Sequence, residues 1–111
     1  MSGADRIDLR VDTRPGGSVA YLTIDNRAKL NTLDRALMSE FIDTVDALAA
    51  REELRALVLR GAGDKAFIGG ANIAEMAALD RGSAKDFITL VHRTCDCLRR
   101  LPVPVIARID G

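Results

Sequence analysis

Apolar and polar positions alternate along residues 6–13, RIDLRVDT, with Ile7, Leu9 and Val11 on one face. Alternation over that length predicts a half-buried strand. Pro15-Gly16-Gly17 supplies a turn, and SVAYLTIDN follows, with Val19, Tyr21 and Thr23 opposing Ala20, Leu22 and Ile24. The two runs predict a β-hairpin whose second strand is buried on both faces, because both of its sides are largely apolar.

The period then changes. Leu37, Phe41, Val45 and Leu48, joined by Met38 and Ile42, recur at spacings of three and four, which predicts an amphipathic helix over residues 33–50. Asn31 or Thr32 can cap it, and Asp34 near its start favours the helix dipole. RALVLRG (55–61) is continuously apolar at Leu57, Val58 and Leu59, so a strand returns. A helix followed by such a strand predicts a crossover and a parallel pair. Ala66-Phe67-Ile68 reads as a buried strand end, and residues Asn72 to Leu79 as a short helix. Ser83, with Asp86 three residues on, starts a further helix in capping-box fashion. Its stripe is Phe87, Val91, Thr94, Leu98 and Leu101, and Pro102 and Pro104 stop it. VIARID (105–110) predicts a last buried strand. The order ββαβ, short helix, α, β defines an α/β layered architecture.

Composition narrows the functions open to such a chain. Its 111 residues are one domain's worth or a piece of a larger one, and a 48% hydrophobic, 29% charged composition is that of a globular protein. Sixteen basic residues balance sixteen acidic ones, so no net field draws the chain to nucleic acid or anionic lipid. Phe41, Phe67, Phe87 and Tyr21 are its only aromatic residues, which leaves little for bases to stack on. No apolar run approaches membrane-spanning length, and MSGADRIDLRVD carries no leader pattern. Cys95 and Cys97, two apart in a helical pattern, are turned about 200° from each other. They neither pair nor share a metal, and a reduced, cytoplasmic setting fits them. Cys95 reads as the buried thiol and Cys97 as the half-exposed one.

The candidate chemistry lies at Gly69-Gly70, between the apolar run and the short helix. A bend that leaves a strand and enters a helix presents N–H groups without intrahelical partners. Glycines there remove the side chains that would shield those donors. The bend then suits an anion, or an oxygen that gains negative charge during a reaction. Alternatively, Gly-Gly is a tight connection ahead of a cap at Asn72. Upstream, RGAGDKA begins like a dinucleotide fingerprint, with Gly61 and Gly63 after a strand and Ala66 in place of the third glycine. GDKAF does not open a long helix, which argues against a nucleotide-binding βαβ unit.

KAFIGGANIAEM (65–76) resembles the signature K-A-F-[SA]-[AG]-G-A-D-[IL]-K-E-M of the crotonase family, the enoyl-CoA hydratase/isomerase superfamily. YLTIDNRAKLNTLDRALM is similar to that family's L-N-R-P-x-x-x-N-A-L stretch, and LRRLPVPVIARIDG to its segment of paired prolines leading to A-x-[IV]-[ND]-G. The resemblance runs from about residue 6 to the last residue. It implies a crotonase-like spiral of ββα units, of which residues 1–111 are the N-terminal part, ending just before the glycine turn that carries a second oxyanion donor. It also implies an acyl-CoA thioester substrate, with CoA as part of the substrate and no metal or redox cofactor. The implied reaction adds water to, or isomerises, an enoyl-CoA through a thioester enolate. A homo-oligomer, trimer or dimer of trimers, is implied as well.

Carried over residue by residue, the Ala71 N–H is the oxyanion donor. Gly69, Gly70, Asn72, Ile73 and Ala74 line the adenine and pantetheine, and Lys29-Leu30 closes over the nucleotide end. Ala28 departs from the family's proline, Asn72 from its aspartate and Ala74 from its lysine. The acid/base carboxylates of the hydratases fall beyond Gly111, so the 111-residue chain alone is expected to be inactive. A truncated, non-catalytic CoA-binding or assembly module is the alternative. Among the remaining candidates, His92, the only histidine, lies off the Phe87/Val91/Leu98 stripe and reads as solvated or packing. Glu75 reads as a helix-face residue, and Glu52-Glu53 as a solvated helix end.

Overall fold

The computed structural model describes residues 6–111; residues 1–5, the start of the segment inspected for a leader, lie outside it. In chain order the elements are β1 (Arg6–Arg14), β2 (Gly17–Asp25), a 3-10 turn at Arg27–Lys29, β3 (Thr32–Leu33), α1 (Arg35–Ala49) and β4 (Leu54–Gly61). β5 (Gly70–Ala71), α2 (Ile73–Ala77), α3 (Arg81–Arg100) and β6 (Val105–Arg108) follow. β1 and β2 form the expected hairpin, closed at the Arg14–Gly17 pair with Gly17 at φ 138. β2 then pairs with β4, and β4 with β6, both parallel, giving the strand order β1-β2-β4-β6.

One face of this sheet is the core. Ala20, Leu22 and Ile24 of β2 and Leu57 and Leu59 of β4 are buried, and they pack with Leu37, Phe41, Ile42, Val45 and Leu48 of α1. Phe87 and Cys97 of α3 and the adjoining Leu101 complete the same cluster. Side chains on a strand alternate between faces, so Val19, Tyr21, Thr23 and Val58 emerge on the other side, where they are only half-buried. The expectation of two buried faces for β2 is thus corrected. No helix covers the second face among the described residues, and Tyr21 is shielded there by the guanidinium of Arg10, 4.2 Å from its ring centre.

The helix starts also differ from expectation. Asp34, not Asn31 or Thr32, caps α1, its carboxylate accepting from Leu37 N–H at 2.8 Å. Asp80 caps α3 in a reciprocal box with Ser83, three residues ahead of the pair expected. Ser83 N–H donation holds the Asp80 carboxyl below its ordinary range. Two further expectations change at the end of the chain. β6 spans Val105–Arg108 rather than 105–110, and all of it is exposed instead of buried. Along α3, Cys97 is buried and Cys95 exposed, the reverse of the sequence reading. Cys97 falls three residues after Thr94 and four before Leu101, which puts it on the stripe facing α1.

Candidate functional site

The candidate site is assembled by two connections that leave the same end of the sheet. Behind β2, Asn26 is buried, and its carbonyl accepts from both Lys29 N–H and Asn31 N–H at 2.9 Å. The chain turns back on itself here because Leu30 and Asn31 both take left-handed backbone, φ 56, which asparagine tolerates better than most residues. Asn31 is 1% exposed. Its side-chain oxygen accepts from Asn26 N–H at 2.8 Å, and its amide donates to Ala62 O at 3.0 Å and Ala66 O at 2.9 Å. Asn26 in turn donates to Thr32 O at 2.9 Å.

Behind β4, residues 62–69 carry no regular structure, so the buried strand end expected at Ala66-Phe67-Ile68 is absent. Phe67 and Ile68 do pack half-buried against the core. The segment becomes a strand only at Gly70–Ala71, where β5 runs parallel to β3 in the register Thr32–Gly70 and Leu33–Ala71. Gly69 lies so close to Leu30 that a Cβ would overlap the Leu30 carbonyl oxygen. Gly70 sits at φ 104 with open space where its side chain would be. Asn72 N–H donates to Leu33 O at 2.9 Å. Successive amides of a strand point to opposite edges, so the N–H of Ala71 points away from β3.

Asn72 then caps α2, its side-chain oxygen accepting from Glu75 N–H at 2.9 Å. That helix covers Ile73–Ala77, shorter than the 72–79 expected. Glu75 accepts from Arg35 N–H at 2.9 Å, so its carboxylate supports the start of α1. It is a helix-face residue, as read from the sequence.

Of the candidate residues, Leu30, Gly69, Gly70, Ala71 and Asn72 are brought together by these contacts. Lys29 stands exposed on the 3-10 turn, and Ile73 (79% exposed) and Ala74 lie open on the first turn of α2. A cleft of about 410 Å³ separates the two connections, lined by Arg27, Leu30 and Asn31 on one side and Gly63, Asp64 and Lys65 on the other. His92 is exposed on α3. Among the described residues no three His, Cys, Asp or Glu side chains are grouped to hold a metal ion, and no helix is long and apolar enough to cross a membrane.

Asn31 and Gly61 were not singled out by the sequence for the work they do. A Cβ on Gly61 would overlap Phe67 O, so this glycine lets the second connection fold back over the end of β4. The detectable signal for Asn31 was a pair of asparagines five apart, in a stretch without apolar periodicity, between a strand and a helix.

An α/β layer with a mixed sheet whose connections meet at a glycine bend is the class of arrangement these contacts define. The chain matches the enoyl-CoA hydratase/isomerase family over residues 14–111, and it belongs to that family. It is 33% identical over 95 residues to the short-chain-enoyl-CoA hydratase of Clostridium acetobutylicum, a match that takes in 86% of this chain and 36% of the relative. To the crotonyl-CoA hydratase of Syntrophomonas wolfei it is 31% identical over 93 residues, 84% of this chain and 36% of the other. The crystal structure of an enoyl-CoA hydratase from Bacillus anthracis superposes with a TM-score of 0.82 at 29% identity, covering 93% of this chain and 40% of that one. The fold is therefore crotonase-like α/β, and the chain spans little more than a third of the relatives it matches.

Proposed function

We propose that this chain supplies the acyl-CoA-binding part of an enzyme of the enoyl-CoA hydratase or isomerase type, a lyase in the hydratase case, in which the Ala71 N–H donates to the thioester oxygen. The observation that carries this reading is the bend itself. Gly70, at φ 104 with nothing over it, leads into an amide whose neighbours are tied to β3 on the opposite side. A donor held by backbone and already oriented stabilises an enolate oxygen without reorganising as charge develops. Asn72, Ile73, Ala74 and the Gly69 carbonyl line the pantetheine and adenine. Lys29-Leu30 closes over the nucleotide end, and Leu30 lines the cleft together with Arg27 and Lys65. CoA is part of the substrate, and the reaction uses no metal or redox cofactor. The reading extends to a cytoplasmic protein that works as a homo-oligomer.

The alternative, a binding module without turnover, is favoured for the 111 residues taken alone by the position of Glu75. It is the carboxylate nearest to Ala71 in sequence, and the Arg35 N–H holds it. A general base must reach the proton it moves. The second oxyanion donor and the acid/base carboxylates are assigned to residues outside this chain.

The test compares Ala71→Ser, which keeps the amide, with Ala71→Pro, which deletes it. The serine variant is expected to bind crotonyl-CoA as the parent does. In the complete enzyme the proline variant is expected to lose about 10²–10³ in kcat, the effect of removing one oxyanion donor. Undiminished turnover in a folded proline variant removes Ala71 from the site. Crotonyl-CoA hydration above background by the 111-residue chain alone shows instead that acid/base groups lie within it.

A further inference from the structure

Building on the reading of Ala71 as the thioester donor, we propose that Asn31 is the positioning residue of this site, its buried side chain fixing where the Ala71 amide points. The paired segment that carries Ala71 is only two residues long on each strand, Thr32–Leu33 and Gly70–Ala71. So short a ladder does not set a direction by itself, and what precedes it must be anchored. Residues 62–69 are irregular, and two of their carbonyls, Ala62 O and Ala66 O, are held by the Asn31 amide at 3.0 and 2.9 Å. The backbone carbonyl of Asn31 accepts from Gly69 N–H at 3.2 Å, at the bend itself. One residue thus joins the end of β2, the exit of β4 and the donor segment. It does so from a left-handed backbone, φ 56, with 1% of its surface exposed. An amide suits this position because it offers an acceptor to Asn26 N–H and two donors to carbonyls.

A purely structural role predicts loss of stability alone, whereas a positioning role predicts a misaimed donor in a folded chain. Asn31→Gly keeps the left-handed backbone and deletes the amide. Asn31→Asp keeps the acceptor for Asn26 N–H but turns an oxygen toward Ala62 O and Ala66 O. The probes are crotonyl-CoA and its thioether analogue without the carbonyl. Affinity for each is measured by calorimetry, and the carbonyl stretch of the bound thioester by difference infrared spectroscopy. In the parent chain the band is expected below its position in water, as a donated hydrogen bond requires. In folded Asn31→Gly and Asn31→Asp it returns toward the water position, while the thioether binds as tightly as to the parent. Ile42→Val, which trims the core cluster, keeps the parental band. In the complete enzyme the glycine variant loses about 10²-fold in kcat, the effect of a donor displaced by about 1 Å, with KM near the parental value.

A folded Asn31 variant with the parental band overturns the positioning role and leaves Ala71 in place. No displacement in the parent overturns the reading of Ala71, and this inference with it. Should the glycine variant not fold, the aspartate variant is read alongside the Ala71 amide resonance. An unmoved resonance together with a parental band overturns the proposal.

Discussion

The core layer and the connection layer of this molecule are held by different forces. Between the sheet and α1 and α3, cohesion is apolar: Ala20, Leu22, Ile24, Val45 and Leu57 are fully buried. Burial of such side chains is non-directional, contributing about 1.5–3 kcal/mol for each valine, leucine or isoleucine. Around β3 and β5, the buried polar groups are asparagines. Asn26, Asn31 and Asn72 replace apolar contacts with hydrogen bonds to named backbone atoms. Hydrogen bonds add less net stability, but they fix direction, and leaving one unmade is costly. The core therefore sets whether the chain is folded, and the connections set where one amide points. A change in either layer should be read mainly in its own measurement, and each experiment below tests that separation.

The largest effect is expected from Phe41→Ala. Phe41 is 2% exposed at the centre of α1, and truncating a buried phenylalanine costs about 3–5 kcal/mol. Urea unfolding should show that loss. Under conditions where the variant is still folded, crotonyl-CoA should bind as before. Weakened binding in the folded fraction would mean that the core also positions the site.

Gly61→Ala strikes where the two layers meet. Its Cβ would overlap Phe67 O and lie 2.7 Å from both Ala66 O and the Asn31 side-chain nitrogen. The connection must move outward, and overpacking of this kind costs about 1–3 kcal/mol. Both readouts should fall together, stability by denaturation and affinity by titration. An unchanged affinity would show that the connection absorbs the shift before it reaches Gly69.

Gly70→Ala is a smaller and more local change. Space is open at its Cβ, but φ is 104, a region where a side chain costs about 1–2 kcal/mol. The chain should stay folded with a modest drop in midpoint. Recognition of the thioester carbonyl should fall more than recognition of CoA itself. Equal losses for crotonyl-CoA and CoA would place the bend's role in the nucleotide end rather than at the carbonyl.

The same division explains what could be read without coordinates. The stripe Leu37, Phe41, Val45 and Leu48 announced α1 because burial follows the helical period. The hairpin and the parallel crossover from β2 to β4 follow from similar periodicities. Caps were legible as residue types but not as positions. Asn31, Thr32 and Asp34 are all capping residues, and Asn31 was already committed to Ala62 O and Ala66 O. β6 is as apolar as β4, and composition does not say whether anything lies against a strand. The glycine bend and Asn72 were legible through a family signature. Gly61 was visible only as part of a motif that belongs to another fold, because its purpose is a contact with Phe67 O that no spacing encodes.

The cysteines give the finest test, since they report each side of α3 without disturbing it. Cys95 is exposed, while Cys97 faces the core and donates its S–H to Thr94 O at 3.1 Å. Burial, reinforced by the carboxylate of Asp46, pushes the Cys97 thiol from its ordinary 9.0 up to about 11. The thiolate is the reactive form, so a thiol reagent at pH 8 should label Cys95 quickly and Cys97 only when the seam between α1 and α3 opens. The folded chain prefers the neutral thiol, so its contribution to stability is complete below the unfolded value and is lost as pH rises from about 9 toward 11. Cys97→Ala should abolish that alkaline loss, and Cys95→Ala should leave it intact. Labelling of Cys97 should accelerate in Phe41→Ala, where the core is loosened, and stay slow in Gly70→Ala, where only the bend is strained. If Gly70→Ala exposes Cys97 as readily as Phe41→Ala does, strain at the bend spreads into the core, and the two layers behave as one cooperative unit.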